Sequence, residues 1–255
     1  MSHKFKVGDH VTWNSEAGKV GGTISKVHTQ DFDYKGHTHR ASKDDPQYEI
    51  KSDKTDHIAA HKNIEQTEII MLPFYTVGHS TLTVDEFIQL LSAADITLVV
   101  DIRSFPRSRT NPQYNEDVLP LTLAKHHIGY LHLAELGGRR SRIKAISNET
   151  NGFWKNRSFQ NYADYAMTPD FQDGLEKLIK LGRKECCVLM CSEAVWWRCH
   201  RRIVADHLIA RGKSVFHLMN TDKIEPASLT KGAIVQNANL VTYPYEEVKI
   251  SKGTT

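Results

Sequence analysis

The sequence predicts two consecutive folds. Residues 1–66 are expected to form a small all-β barrel, and residues 73–250 an α/β domain whose open, mostly parallel sheet is flanked by helices. Near the N-terminus apolar and polar residues alternate, which is typical of short antiparallel strands. After Pro73, short apolar runs alternate with amphipathic segments, which favours a parallel sheet with crossover helices. A chain of 255 residues is long enough for both parts to bury a core.

The N-terminal barrel is predicted from alternating stretches that glycines and an Asp-Pro turn interrupt. The stretches cover residues 7–13, 22–27 and 47–51, and Asp44-Asp45-Pro46 separates the last one from the rest. This pattern predicts four or five short strands. Residues 65–68 are expected to be a linker to the second domain.

The elements of the α/β domain follow from buried runs and helix-capping signals. Residues 74–77 and 96–100 are predicted to be buried strands, because both are apolar on both faces. Between them, Thr83-Val84-Asp85-Glu86 is a capping box that starts a helix. Later predicted elements are a helix over 118–127, a strand over 129–133, helices over 159–167 and 169–182, a strand over 186–190, a helix over 198–211 and a strand over 214–219.

Charged and nucleophilic residues follow several predicted strands. Ligands of open α/β sheets bind at the carboxyl ends of the strands, so these side chains are expected to share one rim of the sheet. The sequence does not give the strand order, on which this convergence depends. The candidates are His79, Asp101, Arg103, Arg107, Ser108, Arg109, Glu135, Arg139, Arg140, Cys191 and Glu193.

Two sets of motifs resemble known families. The stretches "YTVGHS", "VVDIRSFPRSR", "LGGRR", "NYADYAMTPDF" and "MCSEAVWWRCHRRIVADHL" resemble the DUF488 family over residues 74–219. This resemblance implies an α/β domain of unassigned chemistry. The positions that match the family are His79, Asp101, Arg103, Arg139, Arg140, Cys191, Glu193, Cys199, His200 and Arg201.

The opening stretch, "FKVGDHVTWNSEAGKVGGTISKV", resembles the Tudor-like, SH3-type barrel of a bacterial family labelled hypervirulence-associated. Such barrels usually bind a partner, and the ligand of this one is unknown. Two interpretations of the aromatic residues in this part of the chain are open. Either Trp13, Phe32, Tyr34 and Tyr48 form a ligand pocket, or Trp13 fills a very small core.

Cys191 and Glu193 are the main catalytic candidates, with Asp101 or His79 orienting the thiol. Cys191 lies before a predicted helix start and several arginines, and both features lower a thiol pKa. The alternative is a small buried side chain that only packs. Glu193 is interpreted either as an acid or base, or as a salt-bridge partner of Arg201 or Arg103.

The cysteine and histidine pattern does not favour a metal, and no cofactor is predicted. Cys191, Cys199 and His200 lack the paired CxxC spacing of structural zinc sites. If Cys199 and His200 lie on one helix, their side chains point about 100° apart and cannot both face one small site. His79 would then have to supply a further ligand from another strand.

The proposed substrate is an anion. Arg103, Ser108, Arg139, Arg140 and Arg201 lie beside predicted loop ends, where planar guanidiniums suit phosphate or carboxylate; Cys199 and His200 complete the predicted binding set. The sequence thus predicts either an enzyme acting on a phosphate-bearing, nucleotide or nucleic-acid-derived substrate, or a non-catalytic nucleic-acid-binding or adaptor protein. A net charge of +3 permits both.

The expected compartment is the cytoplasm. The N-terminus has no hydrophobic leader, and apolar runs of membrane-spanning length are absent from the sequence, so no membrane partner is predicted. All four cysteines fall between Cys186 and Cys199, where strand neighbours are poorly placed to form disulfides. Free thiols in a reducing compartment are therefore expected.

Overall fold

The computed structural model describes residues 5–15, 18–52, 58–62, 64–66, 72–236 and 240–245. The chain divides into two compact units, residues 1–70 and 71–255. The first unit is an antiparallel β structure and the second contains a mostly parallel sheet with helices, so the predicted fold class is confirmed.

The first unit is built around a five-stranded antiparallel sheet of order β6-β5-β2-β1-β7, with β3 and β4 forming a separate hairpin. Its strands are β1 (His10–Ser15), β2 (Gly18–His28), β3 (Phe32–Tyr34), β4 (His37–His39), β5 (Gln47–Ser52), β6 (Ile58–His61) and β7 (Glu65–Gln66). The predicted linker is partly wrong, because Glu65 and Gln66 pair with β1. Thr67 and Glu68 lie outside the described residues.

The core of the first unit consists of apolar side chains from alternate positions along its strands. Val11 and Trp13 are buried on β1, and they pack with Ile24 of β2 and with Tyr48 and Ile50 of β5. This is the period of two expected when one face of a sheet is covered. Trp13 and Tyr48 are therefore core residues.

The other two aromatic side chains of the predicted ligand pocket lie on the β3–β4 hairpin. The Phe32 ring stacks on His28 with 3.5 Å between ring centroids, and the rings of Phe32 and Tyr34 both contact His39. The four aromatic residues are thus divided between the core and the hairpin.

The second unit contains a six-stranded sheet of order β10-β9-β11-β8-β12-β13. All pairs are parallel except β12–β13. Its strands are β8 (Phe74–Gly78), β9 (Leu98–Asp101), β10 (Gly129–His132), β11 (Cys187–Cys191), β12 (Val215–Asn220) and β13 (Lys223–Pro226); β14 (Ile234–Gln236) and β15 (Leu240–Thr242) pair separately.

Helices cover both faces of this sheet. They are α1 (Val84–Ser92), α2 (Leu119–Ala124), α3 (Arg157–Tyr165), α4 (Pro169–Leu181) and α5 (Arg201–Ala210). Strand β11 is buried on both sides: Val188 and Met190 pack with α1 and α2, whereas Cys187 and Leu189 pack with α3, α4 and α5. A strand with two covered faces must be apolar throughout, as its sequence is.

The capping signals act as predicted. The Thr83 hydroxyl accepts the N–H of Glu86, and the Glu86 carboxylate accepts the N–H of Thr83, which completes the capping box of α1. The Thr168 hydroxyl caps α4 with a single hydrogen bond, which it accepts from the N–H of Phe171. These bonds satisfy donors that the first turn of a helix leaves unpaired.

The last predicted helix begins three residues later than expected. Residues 196–198 form a 3-10 turn, Cys199 has an extended backbone with φ −127° and ψ 145°, and α5 starts only at Arg201. A short predicted helix over 118–127 is likewise reduced to α2. Within the described residues, none of the helices combines the length and apolarity needed to cross a bilayer.

We expect His217 to make stability depend on pH. Burial, Arg201 and Arg202 lower its pKa from 6.5 to about 4, opposed by Glu225, and its Nδ1 lies 2.7 Å from the Thr76 hydroxyl oxygen. In the unfolded chain the His217 imidazole binds a proton below about pH 6.5, whereas in the folded chain it binds one only below about pH 4. The free energy of unfolding should therefore fall by up to about 3 kcal/mol as the pH falls through this window.

Urea unfolding at pH 7.5 and pH 4.5 measures this loss, with His217→Gln as the comparison. The variant should show a smaller difference between the two pH values because one titrating group is missing. An unchanged difference would contradict the assignment.

Candidate functional site

The strand order brings three predicted site residues to one edge of the sheet. Strand β11 lies between β9 and β8, so Cys191 pairs with Gly78 and Met190 with Asp101. The carboxyl ends of three adjacent parallel strands therefore carry Cys191, His79 and Arg103 to one place. These side chains line a cavity of 590 Å³ together with Ser104, Phe105, Arg107, Ser108, Asn111, Gly138, Arg139, Ser158, Phe159, Ser192, Glu193, Arg198, Cys199 and His200.

Two glycines allow the close approaches that form this cavity. A Cβ atom at Gly78 would lie 1.8 Å from the Glu193 carbonyl oxygen, so only glycine lets the loop after β11 cross β8. A Cβ atom at Gly138 would lie 2.4 Å from Nδ1 of His200. The loop around Gly138 therefore holds the His200 ring in position.

Cys191, Cys199 and His200 form a compact cluster. Nδ1 of His200 lies 3.9 Å from Sγ of Cys191 and 3.6 Å from Sγ of Cys199. Nε2 of the same ring donates to the Ile102 carbonyl oxygen at 3.0 Å, and this bond directs Nδ1 toward both sulfurs. The prediction that Cys199 and His200 cannot face one small site is wrong, because both precede α5 and Cys199 is extended.

The two thiols of this cluster have opposite pKa shifts. The pKa of Cys191 is lowered by a hydrogen bond from the Cys199 thiol, by His200 and by the backbone N–H of Glu193, although burial opposes the shift. Burial and the neighbouring Cys191 sulfur raise the pKa of Cys199. Of the two thiols, Cys191 is therefore the one whose surroundings favour the deprotonated form.

Asp101 accepts hydrogen bonds from Arg103 and so positions a guanidinium that lines the cavity. The Arg103 Nε donates to Asp101 at 2.9 Å, and Nη2 donates to the same carboxylate and to the Tyr114 carbonyl oxygen, each at 2.6 Å. The Tyr130 hydroxyl donates to Asp101 at 2.7 Å. Asp101 is fully buried and does not line the cavity, so it fixes the guanidinium and does not orient Cys191.

His79 is neutral and holds Arg103 from the other side. Its Nδ1 donates to the Ser80 carbonyl oxygen at 3.0 Å, which leaves Nε2 to face Arg103 Nη1 at 3.4 Å. Burial and the Arg103 charge lower the pKa of His79 to about 4. The hydrogen bond between His79 and Cys191 runs from the His79 backbone N–H to the Cys191 carbonyl oxygen. The histidine whose ring lies next to the Cys191 sulfur is His200.

Arg139 and Arg198 supply exposed guanidiniums to the cavity. Among the described residues neither forms a salt bridge, and the Arg139 guanidinium lies 5.6 Å from the centroid of the exposed Phe105 ring. Ser108 also lines the cavity, and its hydroxyl accepts the N–H of Asn111. Arg198 is not among the predicted site residues, although the sequence places it near the start of the helix that in fact begins at Arg201.

Arg140 and Arg201 do not reach the cavity, which corrects the expectation that they join the other arginines. Arg140 donates to the carbonyl oxygens of residues 134, 135 and 137, and its guanidinium stacks 3.8 Å from the Tyr165 centroid. Arg201 is buried and donates to the carbonyl oxygens of Glu193 and Ala194. Both guanidiniums thus hold loops that carry other cavity residues.

Glu193 is an exposed cavity residue. Its carboxylate makes no salt bridge with Arg103 or Arg201, although its main chain contacts both Arg201 and Cys191. Phe105 and Phe159, which sequence analysis did not single out, add apolar surface to the cavity. Phe105 lies between Arg103 and Arg107 in a polar loop. A large aromatic residue in such a loop is a sequence feature that could have indicated a binding residue.

The fold and the cavity define a two-unit protein whose α/β unit has a cavity lined by two buried cysteines, Cys191 and Cys199, and by exposed arginines. Residues 83–208 match the family model described as Domain of unknown function DUF488, and residues 8–65 match that of the hypervirulence associated proteins TUDOR domain. Both resemblances are thereby confirmed. No curated protein and no solved structure matches the chain significantly.

Replacing Asp101 should destabilise the protein strongly. Asp101→Asn leaves the buried Arg103 guanidinium without its counter-charge, and breaking such a buried pair costs about 3–5 kcal/mol. The matched control is Glu116→Gln, which breaks the exposed Arg107–Glu116 pair and should cost less than about 1 kcal/mol. Urea unfolding at pH 7 measures both, and equal losses would refute the scaffolding role of Asp101.

Proposed function

We propose that the α/β unit is an enzyme that acts on an anionic substrate with Cys191 as its nucleophile. The observation that carries this proposal is the position of Cys191, which lines the same cavity as Arg139 and Arg198. A thiolate is the reactive form of cysteine, and hydrogen bonds from neighbouring donors stabilise it. Cys186 and Cys187 lie outside the cavity, and burial raises the pKa of both thiols.

Each neighbouring group has a proposed role in the reaction. Arg139 and Arg198 bind the anionic group, and Arg103, held by Asp101 and His79, adds positive charge at the cavity wall. The Cys191 sulfur then bonds to an electrophilic atom beside the anion. The leaving group departs and takes its proton from solvent. Glu193 then accepts a proton from the water that hydrolyses the Cys191 adduct, which frees the Cys191 thiolate, and Glu193 passes that proton to solvent.

The substrate class follows from charge and shape. Planar guanidiniums suit phosphate or carboxylate, and Phe105 and Phe159 give the cavity apolar surface for a larger group. A phosphate-bearing compound such as a nucleotide or a nucleic-acid fragment combines both features. The first unit, which matches a TUDOR domain, is proposed to bind a partner and to position the enzyme.

The thiol assignment predicts selective alkylation. Cys191 should react with iodoacetamide faster than Cys186 or Cys187, because only Cys191 of these three lines the cavity. Peptide mass spectrometry after short exposure measures the order of reaction, and inorganic phosphate should slow the modification of Cys191. Equal rates at all three positions, or modification of Cys191 last, would contradict the proposal.

The anion-binding role predicts a change in KM. In a screen of phosphate esters and nucleotides, Arg139→Gln should raise KM about tenfold to a hundredfold, because one charge-assisted hydrogen bond contributes about 1.5–3 kcal/mol. Arg142→Gln removes the same charge outside the cavity and should leave KM unchanged. Cys191→Ser should abolish turnover with little change in Tm, and equal effects of both arginine variants would exclude specific anion binding by Arg139.

One observation favours the alternative, a nucleic-acid-binding module without catalysis. The Phe105 side chain is 67% exposed beside the Arg139 guanidinium, and an exposed aromatic next to a cation suits a stacked base. Steeply salt-dependent retention of oligonucleotides, together with an unreactive Cys191, would support this alternative. A reactive Cys191 and weak retention would support the enzyme.

A further inference from the structure

We propose that Cys191, Cys199 and His200 also form a binding site for a thiophilic divalent cation of the Zn²⁺ type, and that a bound ion blocks the Cys191 nucleophile. The metal site stands on its own geometry. Only the blocking effect depends on the proposed enzymatic function.

The donor atoms already lie at distances that suit a tetrahedral ion. The two Sγ atoms and Nδ1 of His200 are all within 4.8 Å of one another. Typical Zn–S and Zn–N bonds in a tetrahedron place neighbouring sulfur and nitrogen ligands about 3.6 Å apart. The observed Sγ–Nδ1 distances are 3.6 Å for Cys199 and 3.9 Å for Cys191.

The His200 ring is held in the orientation that a metal ligand needs. Nε2 donates to the Ile102 carbonyl oxygen, so Nδ1 presents its lone pair toward the two sulfurs. Histidines that bind metals usually donate their second ring nitrogen to such an acceptor. Gly138 closes one side of the ring, where a Cβ atom would overlap it.

Charge favours a soft divalent ion at this place. Two thiolates offset the charge of a divalent cation, so the complex of the ion with both sulfurs carries no net charge in a cavity that contains Arg139 and Arg198. Binding displaces into solvent any proton that the two thiols still carry. Mg²⁺ and Ca²⁺ require oxygen ligands and are excluded by this donor set.

The site has three protein ligands and faces the cavity, so the fourth coordination position is open to water or to an anion. The same sulfur electrons cannot bind a cation and attack a substrate at once. Metal binding and nucleophilic reactivity of Cys191 should therefore exclude each other.

Titration of the metal-free full-length chain with Co²⁺ tests the site, since thiolate ligation gives a charge-transfer absorption that Zn²⁺ then removes by displacement. We expect one equivalent to bind, and Cys199→Ala and His200→Ala to weaken binding at least tenfold. Cys186→Ala removes a thiol outside the cluster and should bind as the unmodified protein does. Circular dichroism verifies that each variant is folded.

A second measurement needs no variant. One equivalent of Zn²⁺ should slow alkylation of Cys191 at least tenfold, a chelator should restore it, and Mg²⁺ should have no effect. Absence of the charge-transfer band, or equal binding by folded Cys199→Ala, His200→Ala and unmodified protein, would overturn the metal site. Slow alkylation of Cys191 without metal would instead contradict the thiol enzyme, while the Co²⁺ absorption would still decide the metal site.

Discussion

The candidate site depends on the parallel pairing of β11 between β8 and β9. This pairing makes three carboxyl strand ends adjacent, so Cys191, His79 and Arg103 meet although they are far apart in the sequence. Parallel strands can lie side by side only if crossover connections cover the sheet, and the helices on both faces of β11 do this. The fold and the cavity are thus consequences of one arrangement.

The arginines divide into two groups with different physical roles. Arg103 and Arg201 are buried and are held by carboxylate or carbonyl acceptors, because a buried guanidinium is costly without partners; the half-buried Arg140 is held by carbonyl oxygens as well. Arg139 and Arg198 enter the cavity and make no salt bridge within the described part of the chain. Residues of identical chemistry therefore differ in whether their guanidiniums are held by fixed acceptors, as in Arg103, Arg140 and Arg201, or are exposed at the cavity, as in Arg139 and Arg198.

The two proposals assign the cluster of Cys191, Cys199 and His200 two chemistries that would compete for the Cys191 sulfur. Hydrogen bonds that stabilise the Cys191 thiolate prepare it both for nucleophilic attack and for metal ligation. His200 would contribute to each in a different form of its ring, which Ile102 fixes: an Nδ1 that carries a proton donates to the sulfur, and an Nδ1 without one is a metal ligand. Under these proposals, the ions and substrates that reach the cavity would decide which of the two chemistries Cys191 takes part in.

The sequence by itself determined the fold class, the two-part organisation and most of the elements. Strand periodicity, the Thr83 capping box and the Thr168-Pro169 helix start are local signals that need no knowledge of the rest of the chain. The family motifs likewise pointed to Cys191, Glu193 and His79, and all three line the cavity. Only the tertiary structure decided the strand order, because local sequence does not encode which strands become neighbours. It also decided that Cys199 and His200 share a site. Cys199 has an extended backbone and α5 begins only at Arg201, whereas the sequence predicts a helix that already includes both residues.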